Sequence, residues 1–379
     1  MARIDELTDL KAIAIVLLFF VHSNLQITMP AITLDWITPW FLSALFFVSG
    51  YLTFSGFFSR KQSIREFLGH RFWSVYLPFV LIMGFYVLAD NIVHYGIAGF
   101  FSHASLLSLF AYFSEGKFAM YQFWFIPQLI GFTILLVFLQ KYVKNDLAQY
   151  SALIGLFIFN VFSYAYNTPW SFEWNFGFYL FVFAVGFTVC KRNWLQRLRS
   201  AKILSILVLI LIASYFISLP TLDLNTELGR AQYFSYTWIR STAFSLSSVM
   251  VLLTLLFYLR RTFRSRRMYA IPEFLGSYTL YIYLWEGYVS PRICGLVFGV
   301  SFYYQLSGAL LFASILVRIA TVSVVAYLSQ LLHQGIGHSF RGSHQSMARI
   351  YHKLYVRFGI SKGCHTDSDQ RGFFWDQRA

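Results

Sequence analysis

The chain has 379 residues, of which 58% are hydrophobic and only 12% are charged, and its mean hydropathy is +0.58. A soluble domain carries about 25% charged residues, so this composition excludes an ordinary soluble fold and predicts a multi-pass protein whose main solvent is the lipid bilayer. The net charge of +14 falls between the apolar runs and in the tail, which is typical of loops that face anionic lipid and argues against nucleic-acid binding. The cysteines, Cys190, Cys294 and Cys364, have neither a disulfide-framework nor a metal-ligand spacing, so no metal site is expected.

Apolar runs long enough to cross about 30 Å of hydrocarbon recur along the chain. They lie near residues 10–28, 38–58, 73–93, 123–140, 149–166, 172–190, 203–219, 238–259, 273–291 and 306–332. The stretch 97–113 is also apolar, but Gly99, Ser102, His103 and Ser105 leave it short, so we interpret it as a re-entrant or interfacial piece. The sequence therefore predicts an all-α polytopic membrane protein with about ten transmembrane helices.

The basic residues indicate the orientation of these helices. If the N terminus is cytoplasmic, the cytoplasmic connections hold the Lys and Arg clusters near 60–71, 141–144, 191–202 and 260–267. The opposite connections hold little beyond Lys117 and Arg230. Because an excess of Lys and Arg marks cytoplasmic loops, we predict that both termini lie on the cytoplasmic side of the cell membrane.

The chain divides into a transmembrane domain over 1–333 and a basic cytoplasmic tail over 334–379. In the tail, apolar residues recur at helical spacing on one face and basic residues on another. The apolar positions are Met347, Ile350, Tyr351, Leu354, Tyr355 and Phe358, and the basic ones are Arg349, Lys353 and Arg357. This pattern predicts an amphipathic helix on the inner leaflet, with a disordered basic tail as the alternative.

In the first predicted span, a basic residue and an imidazole share one helical face. Lys11 and His22 are 11 residues apart, which is three turns and about 16 Å along the helix. Ionisable residues inside a membrane cost about 2.5–3.5 kcal/mol each on insertion scales, so each is a candidate site. A histidine facing the bundle interior can take a proton from a hydroxyl nucleophile, and Lys11 could hold a phosphate of coenzyme A. The alternative is a histidine bonded to a carbonyl and a lysine that extends to the headgroups.

Two short segments are candidates for a substrate pocket or a donor site. Ser49 and Gly50 lie among aromatics in the second span, where small residues allow close approach of a ligand or of another helix. Arg71 precedes Tyr76 and Pro78 at the entry to the third span, and Pro78 should bend the chain. Arg71 could instead reflect only the cytoplasmic excess of basic residues.

The fourth, ninth and tenth spans contribute further candidates. Trp124 opens the fourth span, either in an interfacial aromatic belt or as a pocket wall. Tyr283 lies near Glu286 in the ninth span, and Arg318 lies near the middle of the tenth. An acid and a base in neighbouring apolar helices are most easily kept as an ion pair; alternatively, Glu286 serves as a second catalytic acid or base.

In their order and spacing, these motifs resemble the acyltransferase 3 family of integral-membrane acyltransferases from the first to the tenth span. The positions that match are Lys11, His22, Phe46, Phe47, Ser49, Gly50, Arg71, Tyr76, Pro78, Trp124, Pro127, Gly276, Ser277, Tyr281 and Leu284. Thr8, Ser74 and Glu286 stand where the family commonly has an acid, an arginine and a histidine.

The resemblance implies transfer of an acyl group, usually acetyl, from acyl-CoA to a hydroxyl of a cell-envelope carbohydrate or a lipid-linked sugar. Acetyl-CoA or another acyl-CoA is then a donor substrate, and no cofactor is bound. By the same resemblance, His22 is the expected catalytic base and Glu286 a second catalytic candidate. Lys11 and Arg71 are the expected donor-binding residues. A transporter or flippase for a glycan or lipid, without acyl-transfer chemistry, is the alternative; the absence of a visible internal repeat argues against it.

Overall fold

The computed structural model describes residues 5–23, 37–58, 62–103, 125–165, 176–198, 200–216, 226–263, 265–300 and 306–357. Within these ranges the chain forms helices and no strand, which confirms the predicted all-α class. The α-helices in chain order are α1 Asp5–Val21, α2 Thr38–Phe57, α3 Ile64–Arg71, α4 Leu77–His103, α5 Phe125–Tyr142, α6 Asp146–Ala165, α7 Phe176–Lys191, α8 Leu195–Leu198, α9 Ala201–Phe216, α10 Glu227–Thr262, α11 Ala270–Ser277, α12 Thr279–Phe298 and α13 Gly308–Arg357. A π-helical turn over Phe72–Tyr76 joins α3 to α4, and a 3-10 turn over Arg266–Tyr269 precedes α11.

Several of these helices are suited to a membrane interior. In the described part of the chain, four segments are long and apolar enough to cross a bilayer: Thr38–Phe57, Phe125–Tyr142, Ser235–Thr262 and Gly308–Gly335. The apolar helices α7 and α9 are shorter. The polar and aromatic residues of α12, Glu286 and Arg292 among them, lower its hydropathy, and α1 has only 17 residues. The total of ten spans and the side of the termini remain predictions.

Two segments differ in detail from the predicted spans. The ninth span, 273–291, is divided at Tyr278 into α11 and α12, and α12 continues to Phe298, where Gly299 adopts a left-handed conformation with φ 66°. Such a glycine is a common helix end. The backbone of α4 also breaks at Gly96, with φ 68°, immediately before the predicted re-entrant stretch; residues 104–124 lie outside the described ranges.

The backbone of α13 continues as one helix across the predicted domain boundary at residue 333 and ends at Arg357. Its side chains from residue 336 onward, and all of residues 358–379, lie outside the part that the structure describes. The amphipathic character of the tail therefore stays a prediction.

Close contacts between helix backbones determine how the bundle packs. A Cβ atom added to Gly50 of α2 would lie 2.0 Å from the carbonyl oxygen of Phe183 in α7, and one added to Gly186 would lie 2.0 Å from that of Phe47. The two helices thus cross with their backbones in contact, as small residues allow between membrane helices. Gly50 consequently serves helix packing, one of the two roles open to it from the sequence.

Helix α1 packs against α2, α10, α11, α12 and α13. At its N-terminal end, a Cβ atom on Gly276 of α11 would lie 2.1 Å from the carbonyl oxygen of Thr8. One turn of α1 is also fixed by charge, because the buried carboxylate of Asp9 accepts two hydrogen bonds from Arg260 of α10, at 2.5 Å from Nε and 2.7 Å from Nη2. Bidentate pairs of this kind are among the stronger hydrogen bonds in proteins. These contacts fix the helix that carries Lys11 and leads directly into His22.

Candidate functional site

Three ionisable side chains from distant parts of the chain meet inside the bundle. His22 follows directly after α1, Glu286 lies in α12 and Arg318 in α13. Nδ1 of His22 lies 2.9 Å from Oε2 of Glu286, and Nη2 of Arg318 lies 2.7 Å from Oε1 of the same carboxylate. Each oxygen of Glu286 therefore has a different partner, and the carboxylate links the imidazole to the guanidinium.

The three side chains differ in their access to the surface. Glu286 and Arg318 are fully buried, whereas the side chain of His22 keeps 12% of its surface exposed. Among these three groups, the imidazole is thus the one with exposed surface for a substrate to contact. Glu286 and Arg318, being buried, have access to a substrate only through His22.

Arg318 also binds the helix that leads to the histidine. Its Nη1 donates to the carbonyl oxygen of Phe19 at 3.4 Å, and its guanidinium lies 5.3 Å from the centre of the Phe19 ring. Phe19 is three residues before His22, so Arg318 contacts both the end of α1 and the carboxylate that orients the imidazole. A buried charge of this kind is tolerated when it is paired and hydrogen-bonded.

The geometry determines which nitrogen of His22 can act as a base. An ionised carboxylate accepts a hydrogen bond, so its contact with Nδ1 favours the tautomer that carries the proton there. The lone pair then lies on Nε2. Because carboxylate and imidazole are arranged as in other acid–base sites, this histidine can take a proton from a hydroxyl group and be stabilised while it is charged.

The fourth and ninth predicted spans come together next to the cluster. Tyr283, three residues before Glu286, is buried, and its ring centre lies 5.2 Å from that of Phe125 at the start of α5. Phe125 is the neighbour of Trp124, which itself lies outside the described residues. Tyr86 of α4 is buried too, and its hydroxyl donates to the carbonyl oxygen of Leu284. Aromatic side chains of α4 and α5 therefore contact the helix that carries Glu286.

The other two candidates for a substrate pocket are not bonded to the cluster within the described residues. Ser49 of α2 is half-buried, and its carbonyl oxygen accepts from the hydroxyl of Thr53 at 2.8 Å. The hydroxyl of Tyr76, in the π-helical turn, is buried and has no hydrogen-bond partner in the part of the chain that is described. Such a hydroxyl is free to bind a ligand.

The donor-binding candidates lie on neighbouring elements. Lys11 is half-buried on α1, which packs against α2. Arg71, at the end of α3, donates to the hydroxyl of Thr53 in α2 at 3.2 Å and lies 5.3 Å from the centre of the Phe67 ring. Burial lowers the pKa of Arg71, and the nearby Tyr76 acts in the opposite direction. Across the described residues, no carboxylate pairs with Arg71, so its charge is available to an anionic ligand.

Sequence reasoning missed Phe19, which contacts Arg318 in this cluster, and the buried Arg240 in α10. Nothing in the sequence pointed to Phe19, because it contacts Arg318 through its backbone carbonyl oxygen and the face of its ring. Arg240, by contrast, is 9% exposed within α10 and was visible as an arginine inside an apolar run. Arg318 became a candidate because an ionisable residue inside a membrane is costly, and the same reasoning applies to Arg240.

Comparison with known proteins assigns the family. Residues 5–333 match a family model described as an acyltransferase domain. Searches of curated proteins and of solved structures found no match. The matched range covers most of the chain and includes His22, Glu286 and Arg318. The chain therefore belongs to the acyltransferase 3 family of membrane proteins and is an acyltransferase.

Proposed function

We propose that the protein is an O-acyltransferase of the cell membrane that moves an acyl group, most often acetyl, from acyl-CoA to a hydroxyl of a cell-envelope carbohydrate or a lipid-linked sugar. The observation that carries the proposal is the 2.9 Å contact between Nδ1 of His22 and Glu286. This contact leaves Nε2 as the base, on the one side chain of the cluster that keeps some exposed surface.

The proposed reaction uses the imidazole twice. As base, Nε2 of His22 takes the proton of the acceptor hydroxyl, and the oxygen forms a bond to the carbonyl carbon of the thioester. When the tetrahedral intermediate collapses, the carbon–sulfur bond breaks, and the imidazolium returns its proton to the leaving sulfur. The products are an ester of the acceptor and free coenzyme A. Glu286 stabilises the imidazolium between the two proton transfers, and Arg318 binds the other oxygen of its carboxylate.

In this proposal, Lys11 and Arg71 bind the phosphates of the donor. Arg71 has no carboxylate partner among the described residues, and phosphate is a common ligand of such an arginine. Lys11 lies about 16 Å from His22 along the helix axis. Coenzyme A has a long pantetheine arm between its phosphates and its thioester, so one donor molecule can extend from the cytoplasmic surface to the histidine.

The experiment compares His22→Ala with Ser23→Ala in a strain that lacks the chromosomal gene. Ser23 is the next residue along and bonds to the backbone carbonyl of Phe20, so its variant controls for any change at this turn. We expect His22→Ala to lower base-labile acyl groups per sugar by about 10²- to 10⁴-fold, the usual contribution of a general base. Ser23→Ala should keep them.

Two outcomes would contradict this proposal. If His22→Ala reaches the membrane at the normal level, as judged by blotting, and acylation per sugar is unchanged, then His22 is not the base. If a null strain instead loses surface glycan while acylation per sugar stays the same, then the protein moves the glycan and does not modify it.

A further inference from the structure

A cavity lies between α6 and α7, at the ends of these helices that we predict to be cytoplasmic. Its volume is about 780 Å³, and it shares no lining residue with the His22 cluster. We call the apolar lining residues Leu153, Ile154, Phe181 and Val185 its floor, and the end that Arg192 and Arg197 line its mouth. The cavity is therefore apolar at one end and cationic at the other.

The length of this cavity corresponds to one leaflet of a bilayer. Phe181 and Arg192 both line it and are 11 residues apart, which is about 16 Å along a helix. The hydrocarbon core of a bilayer is about 30 Å thick, so one leaflet contributes about 15 Å. A lipid chain that follows the floor would thus reach the membrane centre, with its headgroup beside the arginines.

The mouth of the cavity has an excess of positive charge. Asp146 binds Nζ of Lys191 at 2.5 Å and also pairs with Arg192. The hydrogen bond from Lys191 lowers the pKa of Asp146, so this carboxylate is ionised at neutral pH. Arg197 is exposed and has no ion-pair partner among the residues that the structure describes. Lys191, Arg192 and Arg197 against one carboxylate leave a net charge of two positive units. Among the described contacts, Arg197 is the cation of the three that does not touch this carboxylate.

An aromatic residue at the mouth also fits the headgroup level. Trp194 lines the cavity between Arg192 and Arg197 in sequence, and 42% of its surface is exposed. Tryptophan is enriched at membrane–water interfaces. Basic pockets between helices on the cytoplasmic side are a known way of binding anionic headgroups.

We propose that this cavity binds an anionic phospholipid of the inner leaflet. The phosphate lies against Arg197 and Arg192, and one acyl chain lies on the floor between α6 and α7. A free phosphate or a soluble nucleotide would use the arginines but leave the apolar floor empty. A zwitterionic lipid would fill the floor but gain less from the excess charge.

The test uses the full-length protein, purified in detergent and titrated with dioleoylphosphatidylglycerol or dioleoylphosphatidylcholine, with bound lipid counted by native mass spectrometry. We expect phosphatidylglycerol to bind more tightly than phosphatidylcholine. Arg197→Gln should weaken phosphatidylglycerol about fivefold, the contribution of one basic residue near an anionic surface. The matched control is Arg267→Gln, because Arg267 is also exposed on the same predicted side and does not line the cavity.

A second variant tests the floor. Ile154 is 50% exposed, so Ile154→Trp can fill the cavity without disturbing the core, and it should weaken both lipids. The proposal is overturned if Arg197→Gln binds phosphatidylglycerol as the wild type does, if Arg267→Gln loses as much affinity, or if both lipids bind equally. It is also overturned if inorganic phosphate displaces the lipid at equal concentration. Since none of these measurements depends on acyl transfer, they are independent of the proposed function.

Discussion

The sharpest test of the site is to change Glu286 to glutamine. The substitution keeps the size of the side chain but removes the charge that faces Arg318, whose side chain is fully buried. Breaking a buried ion pair by removing one partner costs about 3–5 kcal/mol, because it leaves an uncompensated charge. We therefore expect Glu286→Gln to lower the unfolding temperature.

The same substitution should lower the rate of acyl transfer. The imidazole of His22 loses the carboxylate that lies 2.9 Å from its Nδ1, and with it both the favoured tautomer and the stabilisation of the imidazolium. Replacing the comparable carboxylate of a serine protease triad by its amide lowers kcat by about 10⁴. An effect of that order is expected here.

A double variant separates the two effects. In Glu286→Gln with Arg318→Met, no buried cation remains, and replacing a buried pair by apolar groups is often neutral or stabilising by about 1–4 kcal/mol. We expect the unfolding temperature to recover while activity does not, since His22 still lacks a carboxylate.

Both properties can be measured on the same membranes. Size-exclusion chromatography of heated, solubilised protein gives the unfolding temperature, and release of the coenzyme A thiol in the presence of an acceptor glycan gives the rate. If the double variant recovers activity together with stability, Glu286 has only a structural role, and the reasoning is refuted.

Three further results are expected. Gly276→Ala should lower the unfolding temperature, because the added Cβ atom would lie 2.1 Å from a backbone carbonyl oxygen of α1. Gly131→Ala should leave the unfolding temperature unchanged, because no heavy atom lies within 4 Å of its added Cβ atom. Equal effects of the two variants would contradict this packing. Asp9→Asn should cost about 1–3 kcal/mol of unfolding free energy, the usual loss when a charged hydrogen-bond partner is removed. An unchanged denaturant midpoint would show that the bond between Asp9 and Arg260 does not anchor α1. Arg71→Ala should raise the KM for acyl-CoA about tenfold or more while kcat changes little, if one charge-assisted hydrogen bond to phosphate is lost, and an unchanged KM would remove Arg71 from the donor site.

Patterns within short stretches of the sequence predicted most of the helices and one ion pair of the candidate site. Apolar run lengths located most of the helices, whereas the shared face of Lys11 and His22, inferred from the helical repeat, stays a prediction. The rule that buried ionisable residues need partners made Glu286 and Arg318 a candidate pair, and they lie 2.7 Å apart. These results depend on helix geometry and on the cost of burying charge, both of which act within a few residues or on single side chains.

Longer-range relations could not be predicted in the same way. The contact between His22 and Glu286 joins positions 264 residues apart, and helical periodicity fixes nothing over that separation. The break at Tyr278 was also missed, because the residues on both sides are apolar and read as one span. The sequence allowed either a ligand or another helix to approach Gly50 closely. Only the structure shows that the neighbour is α7.

The dispersal of the cluster along the chain has a consequence for biosynthesis. The histidine is synthesised 264 residues before its carboxylate, which lies in α12, and the arginine follows later still, in α13. An unfinished or truncated chain thus holds an imidazole with no activating partner. In the proposed mechanism, acyl transfer is therefore confined to molecules in which α12 and α13 have also been inserted.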